Sequence, residues 1–208
     1  MLCVAALVLL MDGSTSLSDA QWAMAVEAHA RAFESPRLAQ LVNREGPVAA
    51  SAVAFAGFPT ELLGWRLMKT EADLHAFADA LRAHVIRAFP TGDGTGTGNA
   101  ILHGLRLLDE VPDCERQVID VATDGESNTG VTPEAARDRA EQAGVQVNAV
   151  VLRTGANDDP ADWARERVAT ASGFVLEATS WEAWERAIQR KIVMELAALQ
   201  PVTGAYAD

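Results

Sequence analysis

Apolar and polar positions follow two patterns along the chain: short, predominantly apolar runs, and amphipathic stretches of helical period. Val4–Met11, Val48–Ala56, Gln117–Thr123, Val145–Leu152 and Phe174–Ala178 are runs of the first kind, bounded by turn formers. They predict strands covered on both faces. Between them lie helical patterns with start signals. Ser18, with Gln21 three residues on, forms a capping box before the apolar face Trp22, Val26, Ala30 and Phe33. Thr70 caps a helix bearing Leu74, Phe77, Ala78 and Leu81, and a Gly-rich loop over 91–98 leads into a helix with Ile101, Leu105 and Leu108. Thr132-Pro133 opens the next helix with Pro at its first position, and Gly144 ends it. Asp159-Pro160 opens another, and Ser180 caps a last helix running to about Leu199. Gly57-Phe58-Pro59 turns the chain into a segment near Leu62–Met68, expected as a short antiparallel edge strand. Strands alternating with helices predict an α/β fold: a doubly wound, mostly parallel six-stranded sheet with helices on both faces. One domain is expected over residues 1–200, with a loose tail at 201–208 and no internal repeats.

Composition adds exclusions. Of 208 residues, 49% are apolar and 22% charged, enough for an ordinary buried core. A net charge of −12 argues against a nucleic-acid surface and against docking on anionic lipid. The run Leu2–Met11 is too short to span a bilayer and has neither a basic flank nor a small-residue cleavage site. It reads as a strand, so no membrane insertion is expected, and the chain is expected to be a monomer.

In a doubly wound sheet, ligands bind beyond the carboxyl ends of the strands, where strand order reverses. Three segments should meet there: Asp12-Gly13-Ser14-Thr15-Ser16, Thr95-Gly96-Thr97-Gly98 and Thr123-Asp124-Gly125-Glu126. They offer carboxylates at 12 and 124 and several hydroxyls, with no Cys or His. Such hard oxygen donors suit Mg²⁺ or Mn²⁺ better than Zn²⁺. Hydroxyls at alternate positions 14 and 16 can face one point if the turn is tight, which Gly13 permits. A site so lean in charge leaves at least one coordination position to water or to a partner's oxygen.

These segments carry a resemblance. Asp-x-Ser-x-Ser after the first strand, Gly-Thr-x-Thr-Gly downstream and Thr-Asp-Gly-Glu after the fourth strand resemble the metal-ion-dependent adhesion site of von Willebrand factor A domains. The stretch Arg116–Val121, running on into Asp124-Gly125, also resembles the DUF1194 family of exported proteobacterial proteins. The resemblance implies that Asp12, Ser14, Ser16, Thr95 and Asp124 hold one divalent cation (Mg²⁺, with Mn²⁺ or Ca²⁺ as alternatives). It also implies that a protein partner supplies an Asp or Glu carboxylate as the last ligand, without catalysis. Thr97, two residues along the loop, competes with Thr95 for that role. Glu126, Asp93, Asp158 and Asp159 read as ordinary loop acids, and Ser or Thr after a strand also serves simply as a cap or turn former.

The alternative is a Mg²⁺-dependent phosphoryl-transfer or hydrolytic enzyme using Asp12 as nucleophile. The sequence supports it poorly. Residues 92–98 lack the Lys-Ser/Thr ending of a phosphate-binding loop, and Asp12-Gly13-Ser14 lacks the second Asp of an aspartyl-phosphate phosphotransferase. His29, His75, His84 and His103 are all expected within helices, away from Ser14 and Ser16.

Cys3 lies nine residues before Asp12, and Cys114 ten before Asp124. If both Asp residues stand at the top of neighbouring parallel strands, both Cys lie at the bottom of the same pair. Adjacent strands are about 4.8 Å apart, within the reach of a disulfide. A Cys3–Cys114 bridge is therefore expected, and with it an oxidising compartment: periplasmic or secreted, with any export signal upstream of residue 1.

Overall fold

The computed structural model describes residues 3–89, 92–111, 113–153 and 159–197. The strands are β1 (Ala5–Asp12), β2 (Val48–Phe55), β3 (Pro59–Met68), β4 (Gln117–Thr123), β5 (Gln146–Leu152) and β6 (Val175–Ala178). The helices are α1 (Asp19–Phe33), α2 (Pro36–Glu45), α3 (Glu71–Arg82), α4 (Thr97–Glu110), α5 (Pro133–Gln142), α6 (Pro160–Arg167) and α7 (Trp181–Leu196). The strands form one sheet in the order β3-β2-β1-β4-β5-β6, parallel except for β3, which runs antiparallel to β2.

Every side chain of β1 is buried, and the two faces of the sheet explain why. Ala5, Leu7, Leu9 and Met11 pack with Trp22 and Val26 of α1, Leu74 of α3 and Ile188 of α7. Ala6, Val8 and Leu10 pack on the other side, with Ile101 and Leu108 of α4, Ala136 of α5 and Trp163 of α6. Two helical layers over one sheet turn the alternation of a half-exposed strand into a continuous apolar run. Side-chain capping holds the predicted helix starts: Ser18 and Thr70 close capping boxes, and Thr132, Asp159 and Ser180 each accept from a backbone N–H of the first turn.

Three features depart from the expected layout. Helix α2 was not anticipated, although Ser35 caps it, Pro36 occupies its first position, and Leu38, Leu41 and Val42 are buried at helical spacing. β3 spans ten residues rather than a short segment near 62–68, because it pairs along β2 from Pro59 opposite Phe55 to Met68 opposite Val48. Its edge position leaves most of its side chains partly exposed, so it lacks the apolar run that marks a central strand. His84 lies in the turn beyond α3 rather than in a helix, and its carbonyl accepts from Trp22 Nε1 at 2.9 Å. The expected tail at 201–208 falls outside the described residues.

At the amino ends of the central strands, Cys3 and Cys114 add one more parallel bridge between the β1 and β4 chains. They are joined by a disulfide across a Cα–Cα distance of 4.6 Å. At the opposite end, strand order reverses between β1 and β4, and Asp12 and Asp124 emerge there side by side.

Candidate metal centre

β1 delivers Asp12 as its last residue, one register step beyond the Met11–Ala122 pair, so that it faces Thr123 of β4. Asp12 is 2% exposed. The Thr123 hydroxyl donates to Asp12 Oδ2 at 2.6 Å, and the backbone N–H of Ser14 donates to Oδ1 at 2.9 Å. The Ser14 and Ser16 hydroxyls lie 2.8 Å apart, and Ser16 donates to Asp124 Oδ1 at 2.9 Å. Because the Ser16 hydrogen is committed to Asp124, the hydrogen shared between the serines comes from Ser14. Four of the five predicted ligands are thus chained through hydrogen bonds that cross from the β1 loop to the β4 loop. Asp12 and Ser14 are buried, Asp124 is partly buried and Ser16 is exposed, so the row runs from the sheet edge out to solvent.

Burial dominates the electrostatics. It pushes the Asp12 carboxyl up to about 6, opposed by the hydrogen bonds from Thr123 and Ser14, while the Asp124 charge raises it further. Asp124 is also raised, chiefly by burial, with the Ser16 hydrogen bond pulling the other way. Two carboxylates that are both costly to ionise suit a cation between them, since a divalent charge would favour both anions at once. Among the described residues no three His, Cys, Asp or Glu side chains cluster as a metal site would. A cation here would therefore rest on two carboxylates and on hydroxyl oxygens, a hard donor set.

The Gly-rich loop supplies the fifth predicted ligand by a different route. Thr95 is 6% exposed and is fixed through its backbone: its N–H donates to Asn128 Oδ1 at 2.8 Å, and its carbonyl accepts from Asn128 N and Ser127 Oγ, each at 3.0 Å. Gly94 makes this approach possible, with φ at +84° and a Cβ position only 2.4 Å from Asn128 Oδ1. Thr97 is the first residue of α4; its hydroxyl is fully buried and has no hydrogen-bond partner among the described residues. Asn128 follows Asp124 by four residues, so one stretch of chain carries both a candidate ligand and the support for the Thr95 loop.

Several contributors escaped the sequence reading. Thr123 enters the sequence only as the first residue of a motif, yet its hydroxyl is the nearer of the two hydrogen-bond donors to Asp12. Asn128 and Asn99 carry no motif, and Asn99 clamps the top loops by donating to the Gly57 carbonyl at 3.2 Å and accepting from Val131 N at 3.0 Å. Gly13 was expected to permit a tight turn. Its φ is not positive, and the constraint is space: a Cβ there would sit 2.7 Å from the Phe89 ring. Asp159, read as a loop acid, caps α6; Asp158 lies outside the described residues.

With this geometry in place, the sequence profile of DUF1194, described as proteins of unknown function, matches residues 2–200. The chain belongs to the DUF1194 family. No curated protein has a matching sequence. Among solved structures, the DUF1194 domain is similar to proximal thread matrix protein 1 from the mussel byssus, with a TM-score of 0.72 and 20% identity over 94% of this chain and 48% of the other. The same mussel protein with a zinc-occupied MIDAS motif superposes at 0.71, again 20% identical, over 94% and 48% of the two chains. A von Willebrand factor type A protein from Catenulispora acidiphila gives 0.63 and 14% identity over 93% of this chain and 43% of that one. The DUF1194 chain thus spans about half the length of the mussel protein. These likenesses establish the von Willebrand factor A fold.

Proposed function

We propose that the domain is a non-catalytic, metal-dependent protein-binding module. Asp12, Ser14, Ser16, Thr95 and Asp124 would hold one divalent cation, with Thr97 as the alternative loop ligand. The carrying observation is the hydrogen-bonded row Asp12–Ser14–Ser16–Asp124, with a buried carboxylate at its inner end. The zinc-occupied MIDAS motif of the mussel protein supports a divalent ion in this fold. The oxygen-only donor set favours Mg²⁺ or Mn²⁺ over softer metals, with Ca²⁺ also compatible. When bound, such an ion acts as an electrophile for one further oxygen anion.

Two carboxylates against a divalent charge leave it attractive to a third, so the partner is read as a protein presenting an Asp or Glu. The net charge of −12 repels a strongly acidic partner at long range, so that carboxylate should stand among neutral or basic neighbours. An enzymatic role for Asp12 finds less support. Both of its oxygens already accept hydrogen bonds and its side chain is buried, which is poor presentation for a nucleophile. The disulfide supports export to an oxidising compartment. No helix among the described residues is long and apolar enough to cross a membrane.

Thermal melts in chelator, Mg²⁺, Mn²⁺ and Zn²⁺ test the metal reading. Native-state binding raises stability by mass action, so millimolar Mg²⁺ or Mn²⁺ should raise the melting temperature of wild type and not of Asp12→Ala. An equal rise in both proteins removes the assignment.

A further inference from the structure

Arg87 lies in the turn between α3 and α4, outside all three motif segments. Its side chain is 14% exposed and its guanidinium is spent on the β1–α1 loop. Nη1 donates to the carbonyl oxygens of Ser14 at 2.9 Å, Leu17 at 2.9 Å and Gly13 at 3.3 Å, and Nη2 donates to Asp19 Oδ1 at 2.8 Å. One planar group thus gathers the loop from the end of β1 to the first residue of α1.

The contacts matter because of where each peptide plane points. In a trans peptide the C=O and the following N–H point in opposite directions. The Gly13 carbonyl faces Arg87, so the Ser14 N–H in the same plane faces away from it, and there it meets Asp12 Oδ1. The Ser14 carbonyl belongs to the next plane and also faces Arg87. The Ser14 Cα therefore sits between two planes that the guanidinium orients, and this sets the direction of the hydroxyl that reaches Ser16. Three carbonyl dipoles converging on one point would repel one another without a cationic donor at the focus. A neutral side chain at 87 would let the loop relax and scatter the oxygens on its other side.

We propose that Arg87 is a positioning residue of the metal site: it holds the peptide planes flanking Ser14 so that the Ser14 hydroxyl is set for a divalent cation, which Arg87 itself does not touch. The proposal rests on the metal-binding reading above. Lys is a partial substitute, since an ammonium keeps the charge but not the fork that spans the carbonyls and Asp19.

Calorimetric Mn²⁺ titration of the purified domain tests this, with wild type, Arg87→Met, Arg87→Lys, Ser14→Ala, the Arg87→Met/Ser14→Ala double variant, and Asp12→Ala. Removing a residue that orients ligands typically weakens metal binding about 10- to 100-fold, and Arg87→Met should fall in that range. Arg87→Lys should recover part of the loss. In the Ser14→Ala background the Arg87→Met effect should shrink to about threefold or less, because the residue it orients is gone. Should Arg87→Met fail to fold, Arg87→Lys carries the test, with weaker Mn²⁺ binding at an unchanged metal-free melting temperature. Wild-type Mn²⁺ affinity in Arg87→Met, with binding abolished in Asp12→Ala, overturns the role of Arg87 and leaves the site intact. Full multiplicative losses in the double variant also overturn it, since they signify general destabilisation. Unchanged binding in Asp12→Ala overturns the site reading and this proposal together.

Discussion

Asp12 is a carboxylate that the fold buries whether or not a cation accompanies it. Its folded pKa, raised to about 6 by burial, exceeds the ordinary value of 3.8. Between those values the folded chain holds more protons at Asp12 than the unfolded chain does. This residue's contribution to stability therefore falls as pH rises through the window, and it is least favourable above pH 6. In chelator at pH 7, Asp12→Asn should be more stable than wild type by about 1 to 3 kcal/mol, with the difference closing near pH 4. Urea melts at the two pH values measure this, and only wild type should gain stability on adding Mg²⁺. An Asp12→Asn protein no more stable than wild type at pH 7 would mean that Thr123 and Ser14 already compensate the charge. The loop threonines separate by a second experiment. Thr95→Val should weaken Mn²⁺ binding about tenfold or more, whereas Thr97→Val, which removes a buried hydroxyl with no partner among the described residues, should leave it nearly unchanged. The reverse pattern in the titration assigns the ligand to Thr97.

α7 meets the sheet through a fully buried charge cluster as well as through apolar packing. Lys191 Nζ lies 2.6 Å from Asp120 Oδ1 of β4 and 2.9 Å from Glu195 Oε1, and Asn148 of β5 donates to Glu195 Oε1 at 3.0 Å. Burial, with the Asp120 charge adding to it, holds the Glu195 carboxyl well above its usual range. Burial also pushes the adjacent His29 imidazole down. Removing one member of a buried ion pair strands the other, typically at about 3 to 5 kcal/mol. Lys191→Met should lose stability on that scale in denaturant melts, and pairing it with Asp120→Leu should restore much of it. Simple additivity of the two losses would show that the charges act independently. Sequence patterning located the start of α7 by Ser180, and it located β4 to the residue. It could not show that Asp120 and Lys191, 71 positions apart, would meet inside the core.

At the scale of the whole molecule, the sheet is closed at its amino edge by the disulfide and left open to a ligand at its carboxyl edge. The bridge spans 111 residues, and in the chain-entropy model its loss costs about 4 to 5 kcal/mol, often less in practice. Reduction should therefore lower the denaturation midpoint, and native protein should show no thiol to alkylating reagents. Two freely alkylated thiols in protein purified from the periplasm would remove the bridge and the main support for export. Pull-down from a periplasmic extract, followed by binding isotherms of the captured protein in chelator and in Mg²⁺, examines the open edge. Affinity should require the divalent ion and fall with Asp124→Ala, while an isotherm indifferent to chelator would place the partner elsewhere on the surface.

What the chain determined by itself was local. Apolar period and capping residues specify strands and helices within a few neighbours, so five of the six strands and most helix starts were legible. With β1 and β4 read as parallel neighbours, the distances back from Asp12 and Asp124 to the two cysteines, nine and ten residues, made the Cys3–Cys114 bridge legible too. α2 shows only as the Ser35-Pro36 signal and a short apolar face, and the edge strand β3 buries too few residues to show its full length as a run. The motifs named Asp12, Ser14, Ser16 and Asp124, and hydrogen bonds chain those four together. Only the tertiary structure could supply Thr123, Asn128 and Arg87. Thr123 meets a side chain on the neighbouring strand, while Asn128 and Arg87 meet backbone atoms of distant loops, whose direction leaves no trace in residue type.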